Sequence, residues 1–514
     1  MINSTRKPNQ APRRGASAVF LLATLAAASA QAAVNSGSTG ADGALNPTVN
    51  TEIVVPESGI LNYTTVNIPS GVTVKFKKNT ANTPVFILAT GDVTIAGTVD
   101  IRGGDAKSTG TYGDGVLGDD GIPGAGGPGG FDGGRGGRDD SAQRTDIIRG
   151  GTGLGPGGGL GGLEGGDGCN SIGYYHYIGI GGAYNGNAYQ GYGANYYCNV
   201  SSITVYSKAY GSALLQPLIG GSGGGGGRGG TTFAGSGGGG GGGAILIASS
   251  TKITVTGSID TTGGDGGGIS GTGAGGQGAG GSGGAIRLVA GTIAGNGALY
   301  ANGGCINYNN TRRQYCGSSG SNQQGGAPGR IRLEGDAITF SGTSQPAYAA
   351  DVPGPIFIAD APSLRIVSVA GQAVPANPTG NADVTLPATT TGPIDVVFQT
   401  TNVPIGNTVL LRLVPAYGQP TEVLSPAIAG TTSAGNATVS VTLPQGPSTL
   451  QATTTYTVVV SGMLDLSNFA KNEKVEKVEV TVSMVGDAKA RLITTSGKSY
   501  DVSYSALRAA GFRG

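Results

Sequence analysis

The 514-residue chain predicts an all-β protein: a parallel β-helix with stacked glycine-rich insertions over residues 33–350, a β-sandwich over 362–461 and a small charged β appendage over 462–514. Three observations predict it. Short runs of alternating apolar residues repeat along the first half. Glycine accounts for 102 residues, about three times its usual share. After Ala350 glycine falls to ordinary levels and Val, Thr, Pro and Ala take over.

At the N-terminus a basic, acid-free stretch through Arg14 precedes an apolar run from Ala16 to Ala28, and Ala30-Gln31-Ala32 has the small-x-small form of a cleavage site. Residues 1–32 therefore read as a secretory signal peptide, which places the mature chain outside the cell or on its surface. Removing Arg6, Lys7, Arg13 and Arg14 from the 31 basic residues leaves 27 against 30 acidic ones, a net charge of −3. That balance predicts no nucleic-acid partner, and the absence of a further long apolar run predicts no membrane span.

The repeat carries the fold prediction. Val85-Phe86-Ile87 through Val93-Thr94-Ile95, Gly97 and Val99 to Gly103-Gly104 lies without a gap on Ile245-Leu246-Ile247 through Ile253-Thr254-Val255, Gly257 and Ile259 to Gly263-Gly264. A third copy runs from Ile286 and Leu288 through Ile293, Gly297 and Leu299 to Gly303-Gly304, one residue shorter by the alignment. A fourth runs from Ile331 and Leu333 through Ile338 and Phe340 to Gly342, and a weaker leading copy includes Val66, Ile68, Gly71, Val72 and Val74. Alternation within each copy is the period of a half-buried strand. One copy cannot bury its apolar row alone, so the copies are expected to stack, Ile95 over Val255. A β-sandwich of meandering strands is the competing arrangement, and it does not require a glycine at one fixed place in every copy.

Between copies lie the insertions Gly103–Gly168, Gly220–Gly243, Gly263–Gly284 and Gly303–Gly329; residues 103–330 hold 78 of the 102 glycines. Strict G-x-y spacing is absent, which excludes collagen. An isolated polyglycine run loses about 1–2 kcal/mol per residue in backbone entropy on ordering and buries no side chain. Such a run stays disordered unless neighbouring runs accept its hydrogen bonds. Because three of the four insertions leave the repeat right after its closing Gly-Gly, stacking is the expected outcome. The segment Tyr174–Tyr210 holds ten of the twenty tyrosines. Tyr174, Tyr175, Tyr177, Tyr184, Tyr189, Tyr192, Tyr196 and Tyr197 are the candidate contact residues; packing a glycine-rich loop is their other use. Cys169, Cys198, Cys305 and Cys316 are even in number and show no metal-ligand spacing, so disulfides are expected. Three pairings are possible, and local pairing within each insertion is favoured; four unpaired thiols is the alternative.

Beyond Ala350, alternating strands are expected at 364–369, 382–386, 394–399, 408–415, 437–443 and 455–460. The run Thr454-Thr455-Tyr456-Thr457-Val458-Val459-Val460-Ser461-Gly462-Met463-Leu464-Asp465 resembles the closing strand of bacterial Ig-like modules, which implies an Ig-like sandwich over 362–461. In texture, residues 60–345 resemble the glycine-rich β-helical proteins of bacterial envelopes. That resemblance transfers no functional residue.

Catalytic signals are sparse. The single histidine, His176, has no nucleophile elbow beside it. Gly497-Lys498-Ser499 lacks the upstream glycine of a phosphate loop, since Leu492 stands there, and reads as a hairpin turn. The acidic pairs Asp119-Asp120 and Asp139-Asp140 lie on glycine-rich loops that hold carboxylates poorly for general acid and base work. Arg330-Ile331-Arg332 is expected to put Ile331 inward and both arginines outward. One copy of a calcium β-roll pattern at 165–173, with Asp114, Asp119, Asp120 and Asp132 as other oxygen donors, falls short of the tandem copies such a site needs. The sequence thus points to a secreted, disulfide-bearing, non-enzymatic surface or matrix protein with no cofactor and no metal. Its expected partner is a cell-surface or matrix polysaccharide, or a second copy of itself. The alternative is a polysaccharide-active enzyme or carbohydrate-binding protein. Ice binding is disfavoured because the outward positions Thr94, Thr254, Ala294 and Thr339 break the threonine row.

Overall fold

The computed structural model describes residues 34–513 apart from 80–81, 111–119, 139–148, 163–177, 190–204, 208, 271–274, 310–311, 315–324, 358–360, 376–377, 379–382, 416–420, 445, 461–463 and 485–487. The expected signal peptide lies outside the described residues. The protein is nearly all β: the helical elements among the described residues are the 3-10 turn Ser467–Phe469 and the α-helix Tyr504–Ala509.

Alternating apolar residues make half-buried strands, and here the strands of successive copies pair in parallel. The chain passes repeatedly through a ten-stranded and a six-stranded sheet. One pass consists of Val85–Ala89 and Val93–Ile95 in the first sheet and Thr98–Asp100 in the second; the next consists of Ala244–Ser249, Lys252–Val255 and Ser258–Asp260. Ile245 pairs with Val85, Ile253 with Val93 and Ser258 with Thr98, the constant offset that the repeat shows. Ala285–Gly295 with Ala298–Tyr300, then Arg330–Phe340 with Thr343–Gln345, continue the register. Val85, Ile245, Ile286 and Ile331 form one inward row, each at most 3 % exposed, and Val99, Ile259 and Leu299 another at 0 %. Burying such a side chain contributes roughly 1.5–3 kcal/mol, a gain available only when a neighbouring pass closes over it.

The corner between the two sheets explains the fixed glycine. A Cβ on Gly257 would lie 1.9 Å from the Gly97 carbonyl oxygen, one on Gly297 2.2 Å from that of Gly257, and one on Gly342 2.0 Å from that of Gly297. Each corner sits directly on the backbone of the one before it.

The glycine insertions are ordered by one another. Gly240 donates to the Gly104 carbonyl at 3.0 Å, Gly264 to Gly240 at 2.8 Å, Gly281 to Gly264 at 3.0 Å, Gly304 to Gly281 at 2.8 Å and Gly326 to Gly304 at 2.9 Å. This ladder joins all four insertions. Along the second of them, Gly221, Gly224 and Gly227 donate to Gly242, Gly239 and Ser236, whereas Gly220, Gly223 and Gly226 donate to Gly129, Leu154 and Gly151. Donors three residues apart share a direction, the habit of an extended threefold helix, which has no hydrogen bonds of its own and must find partners around it. Close approach excludes side chains: a Cβ on Gly224 would meet the Ala279 carbonyl oxygen at 2.2 Å.

Outward residues of the first strand in each pass are not solvated. Leu88, Leu246, Ala248 and Val289 are buried beneath Tyr184, Tyr210, Leu215, Leu218, Ile219 and Phe131 in a second apolar cluster. Arg332 is only 7 % exposed although it lies on the outward side. It points outward from the core, but the segment 351–356 and Arg287 close over that face.

From Ser363 onward all strands pair antiparallel, in a five-stranded and a six-stranded sheet. Val396 and Phe398 of the first and Val409, Leu411, Val478 and Leu492 of the second share one core. The expected boundary at 461/462 does not divide that core: Val475–Ser483 pairs with Ser448–Val459, Val458 opposite Val478. On Val475–Ser483 the charged Lys477 and Glu479 lie on the outer face, while the alternate residues Val478, Val480 and Val482 are buried. No strand forms over Asp383–Leu386, just before Pro387, although Val384 and Leu386 still pack against the core. The hairpin at Ser496-Gly497 is present, with Gly497 at φ +80°.

Candidate functional site

The expected contact residues divide. Tyr184 is fully buried, its ring 4.7 Å from that of Tyr210 and its hydroxyl donating to the Ile219 carbonyl at 3.0 Å. It packs the glycine-rich region over the parallel sheet and is withdrawn from the exposed set. Tyr210 is buried beside it, donating to the Gly220 carbonyl at 2.6 Å, and burial, with Tyr184 next to it, pushes its hydroxyl pKa well above the usual value. Tyr189 lies on the short strand Ala188–Tyr189, paired antiparallel with Val205–Ser207. Tyr174, Tyr175, Tyr177, Tyr192, Tyr196 and Tyr197 lie outside the described residues, as do His176, Asp114, Asp119, Asp139 and Asp140. Cys305 is buried and disulfide-bonded; Cys169, Cys198 and Cys316 lie outside the described residues.

Described carboxylates of the glycine region are occupied by neighbouring groups. Asp132 pairs with Lys78 at 3.1 Å and accepts from the Gly126 N–H at 2.8 Å; Asp265 accepts from the Cys305 N–H at 2.8 Å. Among the described residues no group of three or more His, Cys, Asp or Glu is placed to hold a metal ion, and no helix is long and apolar enough to cross a membrane.

A buried ionic cluster went unseen in the sequence. Glu334 receives Arg287 Nε and Nη2 at 2.9 Å each, Arg332 Nε at 2.6 Å and the Gly354 N–H at 2.9 Å, while Arg332 Nη2 reaches Asp351 at 2.8 Å. Burial pushes the Glu334 carboxyl up, but Arg287 and Arg332 outweigh it and hold the group below the usual carboxylate range. Arg287 also donates to the Pro355 carbonyl at 2.9 Å, so the cluster fastens the segment leaving the parallel sheets onto their outer face. A signal for that cover existed: Leu88, Leu246 and Val289 are apolar at positions where the alternation points outward.

The six-stranded sheet keeps an uncovered polar face. Its outward row reads Glu52, Lys75, Asp100, Asp260, Tyr300 and Gln345, each residue in register with the next. Arg102 spans two ranks, 3.0 Å from Asp100 and 3.8 Å from Asp260; Lys75 is 3.5 Å from Asp100. Partial burial raises the Asp100 pKa, yet Arg102 and Lys75 bring it below the usual value. Asn302 donates to Gln345 at 3.2 Å. Such a face can exchange hydrogen bonds with a ligand. Compared with protein-family models, curated proteins and solved structures, the chain gives no match.

Proposed function

We propose that this chain is a secreted structural or adhesive protein of the bacterial surface or extracellular matrix, acting by contact and not by turnover. In this reading the N-terminal region is a parallel β-helix carrying a glycine bundle, and the C-terminal region is an Ig-like sandwich. The observation that carries the proposal is the ladder Gly104–Gly240–Gly264–Gly281–Gly304–Gly326. A stack of backbone held by lateral hydrogen bonds has few side chains with which to do chemistry. It suits a rigid, extended scaffold. The occupied carboxylates Asp132, Asp265 and Glu334 agree with that reading.

The purified mature chain, from residue 33, is tested against cells, polysaccharides and itself. Binding without product release is the expected result, with alanine at Tyr174, Tyr175, Tyr177, Tyr192, Tyr196 and Tyr197 weakening cell or self binding and leaving the melting temperature of the parallel sheets in place. Release of oligosaccharides, abolished by changing Asp119 and Asp120 to Asn, would overturn the proposal.

A further inference from the structure

The uncovered face of the six-stranded sheet bears a regular strip of hydrogen-bonding side chains. Parallel strands lie about 4.8 Å apart, so Asp100, Asp260, Tyr300 and Gln345 stand at that interval along a line crossing the strands. That interval is close to the length of one hexose unit in an extended chain. Arg102, Thr262 and Asn302, two residues beyond Asp100, Asp260 and Tyr300, give a flanking set of donors and hydroxyls on the same side. Arg102 is 53 % exposed, Lys75 58 % and Asp260 23 %, so their polar ends reach solvent. The Tyr300 ring, half-buried, meets no other ring among the described residues.

We infer that this strip binds an extended neutral hexose polymer laid across the strands, one sugar per strand. The inference rests on the contact function proposed above and names its partner class. Sugar hydroxyls both donate and accept, which matches a strip that offers carboxylates, a guanidinium, a phenol and amides. The C–H face of a hexose ring matches the face of Tyr300. Charge selects against a polyuronate: Glu52, Asp100 and Asp260 outnumber Lys75 and Arg102, and the cations are already paired with those acids. The other uncovered outer row, Asn67, Thr94, Thr254, Ala294 and Thr339, has no aromatic platform.

Affinity electrophoresis of the full mature chain through gels holding hydroxyethylcellulose, or polygalacturonate for comparison, tests this. Retardation by the neutral glucan is expected, about tenfold weaker for Tyr300→Ala and Asp260→Asn and unchanged for Thr254→Ala and for alanine at Tyr192, Tyr196 and Tyr197 together. Melting temperatures check that the variants fold, and Gln345→Ala, an exposed change at the end of the row, gives a weakening that misfolding does not explain. Retardation of Tyr300→Ala and Gln345→Ala equal to the parent, stronger retardation by polygalacturonate, or no retardation at all would overturn the strip. Self-assembly without glycan retardation sinks the strip alone. Oligosaccharide release alongside Tyr300-dependent retardation sinks the contact function and leaves the strip standing.

Discussion

Gly257 turns the chain between the two parallel sheets while resting on the Gly97 carbonyl, so even a methyl group has nowhere to go. Gly257→Ala is expected to destabilise the parallel region by about 1–3 kcal/mol, the usual cost of forcing extra volume into packed structure, whereas Thr254→Ala on the outer face should change the melting temperature little. Val255 is fully buried, and Val255→Asp should cost several kcal/mol by burying a carboxyl group without a partner. A second residue-level test concerns Glu334. Its folded pKa is depressed, so the unfolded chain binds the proton more readily. The resulting stability is fully present above the usual carboxylate range and is lost as pH falls through the lower folded value. Glu334→Gln removes one partner of a buried cluster and leaves Arg287, 1 % exposed, short of a counter-charge; roughly 3–5 kcal/mol should be lost at neutral pH. Thermal melts from neutral to acid pH should show the parent losing its advantage over Glu334→Gln, and parallel curves would contradict the role given to Glu334.

At the scale of elements, the apolar alternation and its fixed offset were legible because strand pairing in register needs only backbone and a period of two. Val85, Ile95, Val255 and Ile259 are inward as that alternation requires. The cover over Leu88, Leu246 and Val289 was not legible in detail, since Tyr184, Tyr210 and Ile219 come from far along the chain and no local pattern links them to that face. Edge strand Thr421–Ala427 escaped for a different reason: most of its residues are exposed, so it carries no alternation to read. The short strands Ile306–Asn309 and Arg312–Gln314 pair antiparallel, Ile306, next to Cys305, opposite Gln314, two residues before Cys316 in the sequence. Peptide mapping without reduction should therefore join Cys305 to Cys316. A link from Cys305 to Cys169 or Cys198 would contradict this.

For the whole molecule, two consequences stand out. Strands within 475–503 complete the six-stranded antiparallel sheet and the core that it shares with the five-stranded one, so a chain ending at residue 461 should fail to give a cooperative melt for the C-terminal region, whereas a separate appendage would leave that melt intact. The central claim concerns the first half: the glycine runs are ordered chiefly by backbone hydrogen bonds to one another across four insertions. Amide hydrogen exchange on Gly223–Gly227 and Gly238–Gly243 tests it most directly. These N–H groups belong to no strand of either sheet, yet each donor in the ladder has a backbone acceptor within 3.0 Å. The account predicts protection comparable to that of Ile245–Ala248, with both sets opening together. Exchange at the rate of an unstructured glycine peptide, while Ile245–Ala248 stays protected, would contradict it.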